Sequence, residues 1–225
     1  MNFLAHLWLA EQAGAPLAGA ILGDFIRGRV LLGLPDEHGR SLEQGHRDLP
    51  AALARSILLH RRIDISTDHH ARVRAAMAGF EPGARRYAGI LLDLIYDHLL
   101  ARNWPQFSAE SLSDFAARAA QDVAQAGAWF EQAGSHAPSA WRFRRLLLSY
   151  RSARGIDRAI ARTATRLRKP QGLLDAARGW PQQLNRATDD LAPLLADLTL
   201  ASRRFMLETP LPGAIGRAAD YSELP

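Results

Sequence analysis

The sequence contains no cysteine among its 225 residues, and this absence excludes several kinds of chemistry. A chain without thiols cannot form a disulfide framework, use a cysteine nucleophile or bind zinc through sulfur. Any metal site in this protein must therefore use imidazole and oxygen ligands. The absence of cysteine is also compatible with a reducing compartment such as the cytoplasm.

The chain also lacks a long apolar run and a basic leader segment. Its first residues, MNFLAHLWLAEQAGA, are apolar but carry no cluster of positive charge, and His6 and Glu11 interrupt them. We therefore expect no signal peptide. The apolar stretch APLAGAILG is far too short to span a bilayer. These features predict a soluble cytoplasmic protein with no membrane association.

Lysine is almost absent, because Lys169 is the only one in the chain, yet basic residues still outnumber acidic ones. The sequence has 28 lysines and arginines against 23 aspartates and glutamates, which gives a net charge of +5. A basic surface suits an acidic partner, which could be nucleic acid, a phosphorylated metabolite or an acidic protein. Net charge alone does not choose among these three.

Runs of β-branched residues are scarce, whereas alanine, leucine and arginine dominate, and this composition favours helices over strands. We predict a single all-α domain over 1–225, with an irregular tail at 209–225. Residues 28–49 form the longest irregular segment between helices, and loops of that length are often functional. The predicted helices cover 2–13, 15–28, 50–66, 69–78, 83–103, 111–131, 138–153, 155–167, 171–178 and 183–207.

The stretch HRRID, residues 60–64, places a histidine and an aspartate four residues apart. On a helix His60 and Asp64 share one face, while Arg61 and Arg62 point elsewhere. This pair is either an exposed ion pair or half of a metal site. Asp24, in the apolar stretch AGAILGDFIRG, is costly to bury unless it is paired or binds a cation. The alternative for Asp24 is a partly exposed residue near a helix end.

The most apolar stretch, YAGILLDLIYDHLLARNW, contains two aspartates four residues apart. Asp93 and Asp97 repel each other on one helix face, so an arginine or a metal ion must compensate them. His98 follows Asp97 directly, which gives a histidine–aspartate pair in reversed order. His6 interrupts another apolar helix, where a hydrogen-bonded core histidine is the alternative to a ligand. Asp68 lies near an expected helix end, where a capping role is the alternative.

Taken together, these residues predict a metal centre in the first hundred residues. Imidazole and carboxylate ligands without sulfur suit manganese, magnesium, iron or zinc. Helices that carry histidine and aspartate ligands for a divalent metal are typical of phosphohydrolases. In such enzymes the metal lowers the pKa of a bound water and withdraws charge from the phosphate.

Five motifs, in this order and approximate spacing, resemble the acyl carrier protein phosphodiesterase family, whose members are also called acyl carrier protein hydrolases. The motifs are MNFLAHLWLA, GDFIRG, HRRID, the pair Thr67–Asp68, and DHLLARNW. The resemblance continues more thinly through YRSARGIDRAIARTATRLR and the last long helix. It implies an HD-phosphohydrolase-like helical bundle that depends on a divalent metal, with Mn²⁺ favoured and Mg²⁺ or Fe²⁺ as alternatives. It also implies removal of the 4′-phosphopantetheine group from holo acyl carrier protein, a small acidic helical protein of fatty acid biosynthesis.

The resemblance also implies roles for individual residues. Its motif positions in this chain are His6, Asp24, His60, Asp64, Asp68, Asp97 and His98. We expect the metal shell to consist of Asp24, His60, Asp64 and Asp97. His6, Asp93 and His98 would be further ligands, residues that orient ligands, or the general acid. Two departures stand out: Trp8 occupies a position where we expect a second histidine, and the segment between Asp24 and His60 is longer than expected.

The implied mechanism is that the metal activates a water, the resulting hydroxide attacks phosphorus, and the carrier serine leaves with a proton from His98 or His6. Arg27, Arg61 and Arg62 are candidates for contacting the phosphate oxygens, because guanidinium groups bind phosphate bidentately. Simple solvation is the alternative for the HRRID arginines.

Four arginines recur at every fourth position along RGIDRAIARTATR, and this spacing predicts a basic stripe on one helix face. They are Arg154, Arg158, Arg162 and Arg166. The stripe is either a solvated face or a docking surface for the acidic helix of the carrier protein. A docking stripe would steer the encounter and would weaken with salt.

Three other functions are alternatives to hydrolysis of holo acyl carrier protein. The same metal site could hydrolyse a nucleotide or another small phosphodiester. A nucleic-acid-binding protein could use the arginines, but the sequence has no recognised nucleic-acid motif, and we expect no nucleic-acid partner. A non-catalytic basic helical binding protein would neutralise its buried carboxylates with arginines, and its metal content would distinguish it.

Overall fold

The computed structural model describes residues 2–30 and 49–209, and these residues form helices connected by short loops. Within them there are no β-strands, which confirms the prediction of an all-α fold. The helices are α1 (Phe3–Gln12), α2 (Leu17–Leu22), α3 (Ala51–His69), α4 (Ala71–Ala78), α5 (Ala88–Arg102), α6 (Leu112–Gln125), α7 (Gly127–Gln132), α8 (Ala140–Ser149), α9 (Ala153–Ala164), α10 (Pro170–Ala176) and α11 (Trp180–Glu208). Most of the predicted irregular segment 28–49, and all but the first residue of the predicted tail, lie outside the described residues.

Local sequence signals explain several helix starts. Ser111 is the N-cap of α6, where its side chain accepts a hydrogen bond from the amide of Asp114. Ser152 caps α9 in the same way through the amide of Gly155. The cap of α4 is different from the one expected, because His70 rather than Asp68 accepts the hydrogen bond of the first turn.

Two of the predicted helices, 15–28 and 111–131, differ from the structure in ways that change the architecture. The helix predicted at 15–28 ends at Leu22, and the chain then turns through Gly23 toward Asp24. This early end matters because it brings Asp24 out of a helix and into a turn. The helix predicted at 111–131 divides into α6 and α7 around Ala126.

The helices pack around one core, in which α1 and α5 are buried on nearly all sides. In α1 every residue from Leu4 to Ala10 is buried, and the buried residues of α5 cover most of its circumference. A helix that is apolar all round lies inside a protein rather than on its surface. Helix α1 contacts α2, α3, α5 and α11, so the buried side chain of His6 on α1 faces other helices and not solvent.

None of the helices in residues 2–30 and 49–209 is both long enough and apolar enough to cross a lipid bilayer.

Candidate metal centre

The centre is built on α3, where His60 and Asp64 lie one turn apart. Nε2 of His60 lies 3.2 Å from Oδ2 of Asp64, so the two side chains share a face as the HRRID spacing predicts. The ring of His60 is buried, whereas 43% of the Asp64 side chain is exposed. Nδ1 of His60 donates a hydrogen bond of 2.7 Å to the carbonyl oxygen of Ala20. This bond fixes the ring orientation and leaves Nε2 free to face the carboxylates.

His6 reaches the same point from α1. Its Nε2 lies 3.0 Å from Oδ1 of Asp64, and its ring stacks on that of His60 with 4.1 Å between the centroids. Nδ1 of His6 is buried and has no hydrogen-bond partner among the described residues. A structural core histidine normally satisfies both ring nitrogens. The unsatisfied nitrogen therefore favours a functional histidine over a structural one.

Asp24 approaches from the turn after α2. Its Oδ1 lies 3.5 Å from Nε2 of His60, and its side chain is 51% exposed. The close packing of α2 on α3 depends on two glycines, Gly19 within α2 and Gly23 directly after it. A methyl group added at Gly19 would collide with Ser56, and one added at Gly23 would collide with the His60 ring. The glycines thus allow the backbone beside Asp24 to lie against the histidine.

The surrounding carboxylates create a strong preference for positive charge at this point. Burial lowers the pKa of His60, but the hydrogen bonds with Asp24 and Asp64 outweigh it and raise the pKa to about 9. Burial raises the pKa of Asp64, but the two histidines outweigh it and hold that pKa well below its usual range. Burial, together with repulsion from His60, lowers the pKa of His6. The site therefore stabilises a cation beside two carboxylates and a neutral imidazole.

These residues fit a divalent metal ion. His6, His60 and Asp64 each offer one ligand atom, and the three atoms all lie within 4.8 Å of one another. Asp24 offers a further carboxylate beside His60. Two imidazoles with carboxylates and no sulfur suit manganese, iron or zinc. The hydrogen bond from His60 to a backbone carbonyl agrees with a ligand role for that histidine.

Asp97, predicted as a metal ligand, has a different environment. Its two carboxylate oxygens accept hydrogen bonds from the amides of Leu4, at 2.8 Å, and Ala5, at 3.0 Å. The side chain is fully buried, and burial raises the pKa to about 7 although both hydrogen bonds lower it. The sequence predicted that an arginine or a metal ion compensates Asp97. In the structure the N-terminus of α1 takes this role, because its first amides lack partners within the helix. Asp97 anchors the helix that carries His6 and is not part of the ligand cluster.

Three other predicted residues also lie outside the cluster. His98 is buried, and its Nδ1 donates a 2.6 Å hydrogen bond to the carbonyl of Tyr150 while its ring packs edge-on against Trp180. Burial lowers the pKa of His98. Asp68 is exposed near the end of α3, and Asp93 is half-buried on α5.

The three arginines predicted to contact phosphate differ in their surroundings. Arg61 donates hydrogen bonds of 2.7 Å and 2.6 Å to the carbonyls of Gly28 and Ile26, so it holds the segment after Asp24 in place. Its guanidinium is engaged by the main chain rather than open to a ligand. Arg27 and Arg62 are exposed at the surface near the centre.

The predicted arginine stripe lies along a groove rather than on an open face. Arg158, Arg162 and Arg166 line the groove, whereas Arg154 is exposed outside its lining. The second wall of the groove comes from α8, and it was not identified from the sequence. The signal for this wall was the stretch WRFRR at 141–145, in which arginines alternate with aromatic residues.

We predict that Gly23→Ala disturbs the centre, because the added methyl group collides with the His60 ring. Affinity for a divalent metal should fall by about 10- to 100-fold, the loss typical when residues that orient metal ligands are changed. Calorimetric titration with manganese measures this affinity. Gly89→Ala is the matched control, since a methyl group there meets open space on α5. Equal affinity in the two variants would contradict the described packing of α2 on His60.

Comparison with known proteins agrees with the motifs. The family model described as acyl carrier protein phosphodiesterase matches residues 1–198. A protein of that name from Klebsiella pneumoniae (strain 342) is 40% identical over 124 residues, which cover 55% of this chain and 56% of the relative. A protein of the same name from Enterobacter sp. (strain 638) is 39% identical over 125 residues, which cover 55% of this chain and 57% of the relative.

These alignments span about half the length of the curated relatives. No solved structure matches the chain. The family model, by contrast, covers residues 1–198 of 225. By this coverage, the chain belongs to the acyl carrier protein phosphodiesterase family.

Proposed function

We propose that this protein is a metal-dependent phosphodiesterase that removes the 4′-phosphopantetheine group from holo acyl carrier protein. The observation that carries this proposal is the convergence of His6, His60, Asp64 and Asp24 from three segments of a chain that belongs to this family. The net charge of +5 suits a small acidic protein substrate. A cytoplasmic location, where fatty acid synthesis requires the carrier protein, is part of the same proposal.

The proposed cofactor is a divalent ion, with manganese favoured over magnesium or iron, held by His6, His60, Asp64 and Asp24. Such an ion supplies an activated water and withdraws charge from the phosphate. Asp97 remains a candidate ligand only if its hydrogen bonds to α1 are exchanged for metal contacts.

The residues of the chain supply positioning. Through its bond to Ala20, His60 keeps Nε2 directed at the carboxylates. Neither histidine predicted as the general acid is well placed for that role, because His6 is a proposed metal ligand whose pKa is lowered by burial and His98 is bonded to Tyr150. Arg27 and Arg62 could meet the phosphate oxygens, and Arg61 would support them by fixing the backbone after Asp24.

Hydrolysis of two substrates distinguishes this proposal from its nearest alternative. The protein, loaded with manganese, is given holo acyl carrier protein or bis(4-nitrophenyl) phosphate, a small diester without a carrier. We expect kcat/KM to be far higher for the carrier protein. Comparable or greater activity on the small diester would support a general phosphodiesterase, and no hydrolysis of either would favour a non-catalytic binding protein.

The arginine stripe is the proposed docking surface for the carrier protein. In the double variant Arg158→Glu/Arg162→Glu, we expect KM for holo acyl carrier protein to rise roughly tenfold, equivalent to about 1.4 kcal/mol, the size of two surface ion pairs. The turnover number should change less, and raised salt should reduce the difference. The matched control, Arg74→Glu/Arg102→Glu, reverses two exposed arginines outside the groove. An unchanged KM in the stripe variant, or an equal rise in the control, would exclude docking at the stripe.

A further inference from the structure

A groove of about 730 Å³ lies between α8 and α9 and reaches α1 and the end of α2. The same two elements carry part of the metal centre. Phe3, in the groove lining, lies one turn before His6 on α1, and Phe25, also in the lining, follows Asp24 directly. The groove and the centre therefore share α1 and the segment at the end of α2, although none of the four proposed ligands lines the groove.

The floor of the groove is apolar and uncharged. Ile21, Leu94 and Phe143 are buried core residues that also line the groove. Phe3 packs edge-on against Phe143, with 5.9 Å between ring centroids. A charged group placed on this floor would lose its hydration without a compensating partner. The floor therefore fits an uncharged part of a ligand.

The rim of the groove has the opposite character, because five arginines border it and no carboxylate belongs to its lining. They are Arg142 and Arg145 on α8 with Arg158, Arg162 and Arg166 on or just after α9. Within the described part of the chain none of the five forms an ion pair. Trp141 is 62% exposed at the rim, and the guanidinium of Arg145 lies 4.6 Å from its ring centroid. The rim thus fits an anionic surface.

One class of ligand fits both the apolar floor and the basic rim of the groove: an uncharged chain attached to an acidic protein. The volume lies within the range of about 300–1,000 Å³ that is usual for small-molecule sites, so a flexible chain fits it. A free polyanion fits less well, because its charges meet only the rim. A protein helix without a chain leaves the floor unfilled.

We infer that the groove receives the uncharged pantetheine arm of the substrate, which extends from the phosphate at the metal centre while the acidic carrier protein meets the arginine rim. This inference rests on the proposed function. It adds the path of the arm and the α8 wall, including Trp141, to the substrate-binding surface.

The absence of cysteine allows a direct test by thiol exchange. Thr163→Cys places a single thiol in the groove lining, and Ala161→Cys places one on the exposed side of the same helix. The arm thiol of holo acyl carrier protein is first converted to a mixed disulfide with thionitrobenzoate. The introduced thiolate attacks the arm sulfur, a disulfide joins the two proteins, and thionitrobenzoate leaves as a coloured anion. A chelator is present, so the arm stays attached to its carrier.

We expect Thr163→Cys to cross-link at least tenfold faster than Ala161→Cys, after each rate is divided by the rate with hydroxyethyl disulfide, which corrects for exposure. Ser149→Cys, a nearly isosteric change in the same lining, should behave like Thr163→Cys and guards against misfolding of either variant. Equal corrected rates inside and outside the groove, or no cross-link at Thr163→Cys and Ser149→Cys, would overturn the inference.

A second measurement distinguishes failure of this inference from failure of the proposed function. Hydrolysis of holo acyl carrier protein by the unmodified chain with manganese is measured in parallel. Hydrolysis without selective cross-linking overturns the path of the arm but keeps the function. Selective cross-linking without hydrolysis supports the groove as a site for the arm and overturns the proposed reaction.

Discussion

Asp64→Ala should lower hydrolysis of holo acyl carrier protein by more than about 100-fold, because changing even residues that only orient metal ligands costs about 10- to 100-fold. Among the described residues, Asp64 is the one side chain with ion-pair contacts to both histidines, with distances of 3.0 Å to His6 and 3.2 Å to His60. Its removal takes away a proposed ligand and leaves two imidazoles without their shared carboxylate. Single-turnover measurements with manganese give the rate.

The helix content should stay the same, since 43% of the Asp64 side chain is exposed and its recorded contacts are with the two histidine rings rather than with the main chain. Circular dichroism measures this. Asp189→Ala is the matched control, because Asp189 is an exposed aspartate on α11 that lies outside the cluster. Retained turnover in Asp64→Ala, in a folded protein, would contradict the assignment of the centre.

Asp97→Ala should lower the free energy of unfolding by about 2–4 kcal/mol, because each buried amide left without a partner costs about 1–3 kcal/mol. The amides concerned are those of Leu4 and Ala5 at the start of α1. The carboxylate also faces the positive end of the helix dipole, and that interaction is lost as well. Urea denaturation followed by circular dichroism gives the free energy.

Asp97→Asn separates this anchoring role from metal binding. An amide oxygen still accepts a hydrogen bond from α1, so we expect a smaller loss of stability and nearly normal affinity for manganese. Near-normal stability with a loss of manganese affinity would instead support the ligand role that the sequence predicted.

The pH dependence of stability gives a further check on Asp97. Burial raises the pKa of Asp97 from 3.8 to about 7, so between these values the folded chain holds a proton that the unfolded chain has released. The contribution of Asp97 to stability is therefore fully present below pH 3.8 and falls as the pH rises through about 7. Asp97→Asn should lack this fall, and a parallel pH dependence in the two proteins would contradict the raised pKa.

The all-α fold and half of the centre could be predicted because they depend on local sequence. Helical spacing alone brings His60 and Asp64 together, and the cost of placing Asp24 and His6 in apolar segments marks them as unusual. That these segments converge is a property of packing. It depends on Gly19 and Gly23, which let α2 approach α3.

The role of Asp97 could not be predicted from its own helix, because its partners are main-chain amides of α1, 92 and 93 residues away in the chain. The sequence required a positive group near this carboxylate but could not distinguish a metal ion from a helix N-terminus. The groove could not be predicted either. The arginines of the stripe border a groove only because α8, with its own arginines, lies on the other side of it in the fold.

The central claim is that a metal held by these residues removes phosphopantetheine from the carrier protein. Intact mass spectrometry of holo acyl carrier protein, incubated with this protein and manganese or with a chelator, tests it most directly. We predict loss of the phosphopantetheine mass with manganese and an unchanged mass with the chelator. An unchanged mass with the folded, manganese-loaded protein would contradict the proposed substrate, and equal loss in the chelator would contradict the metal centre.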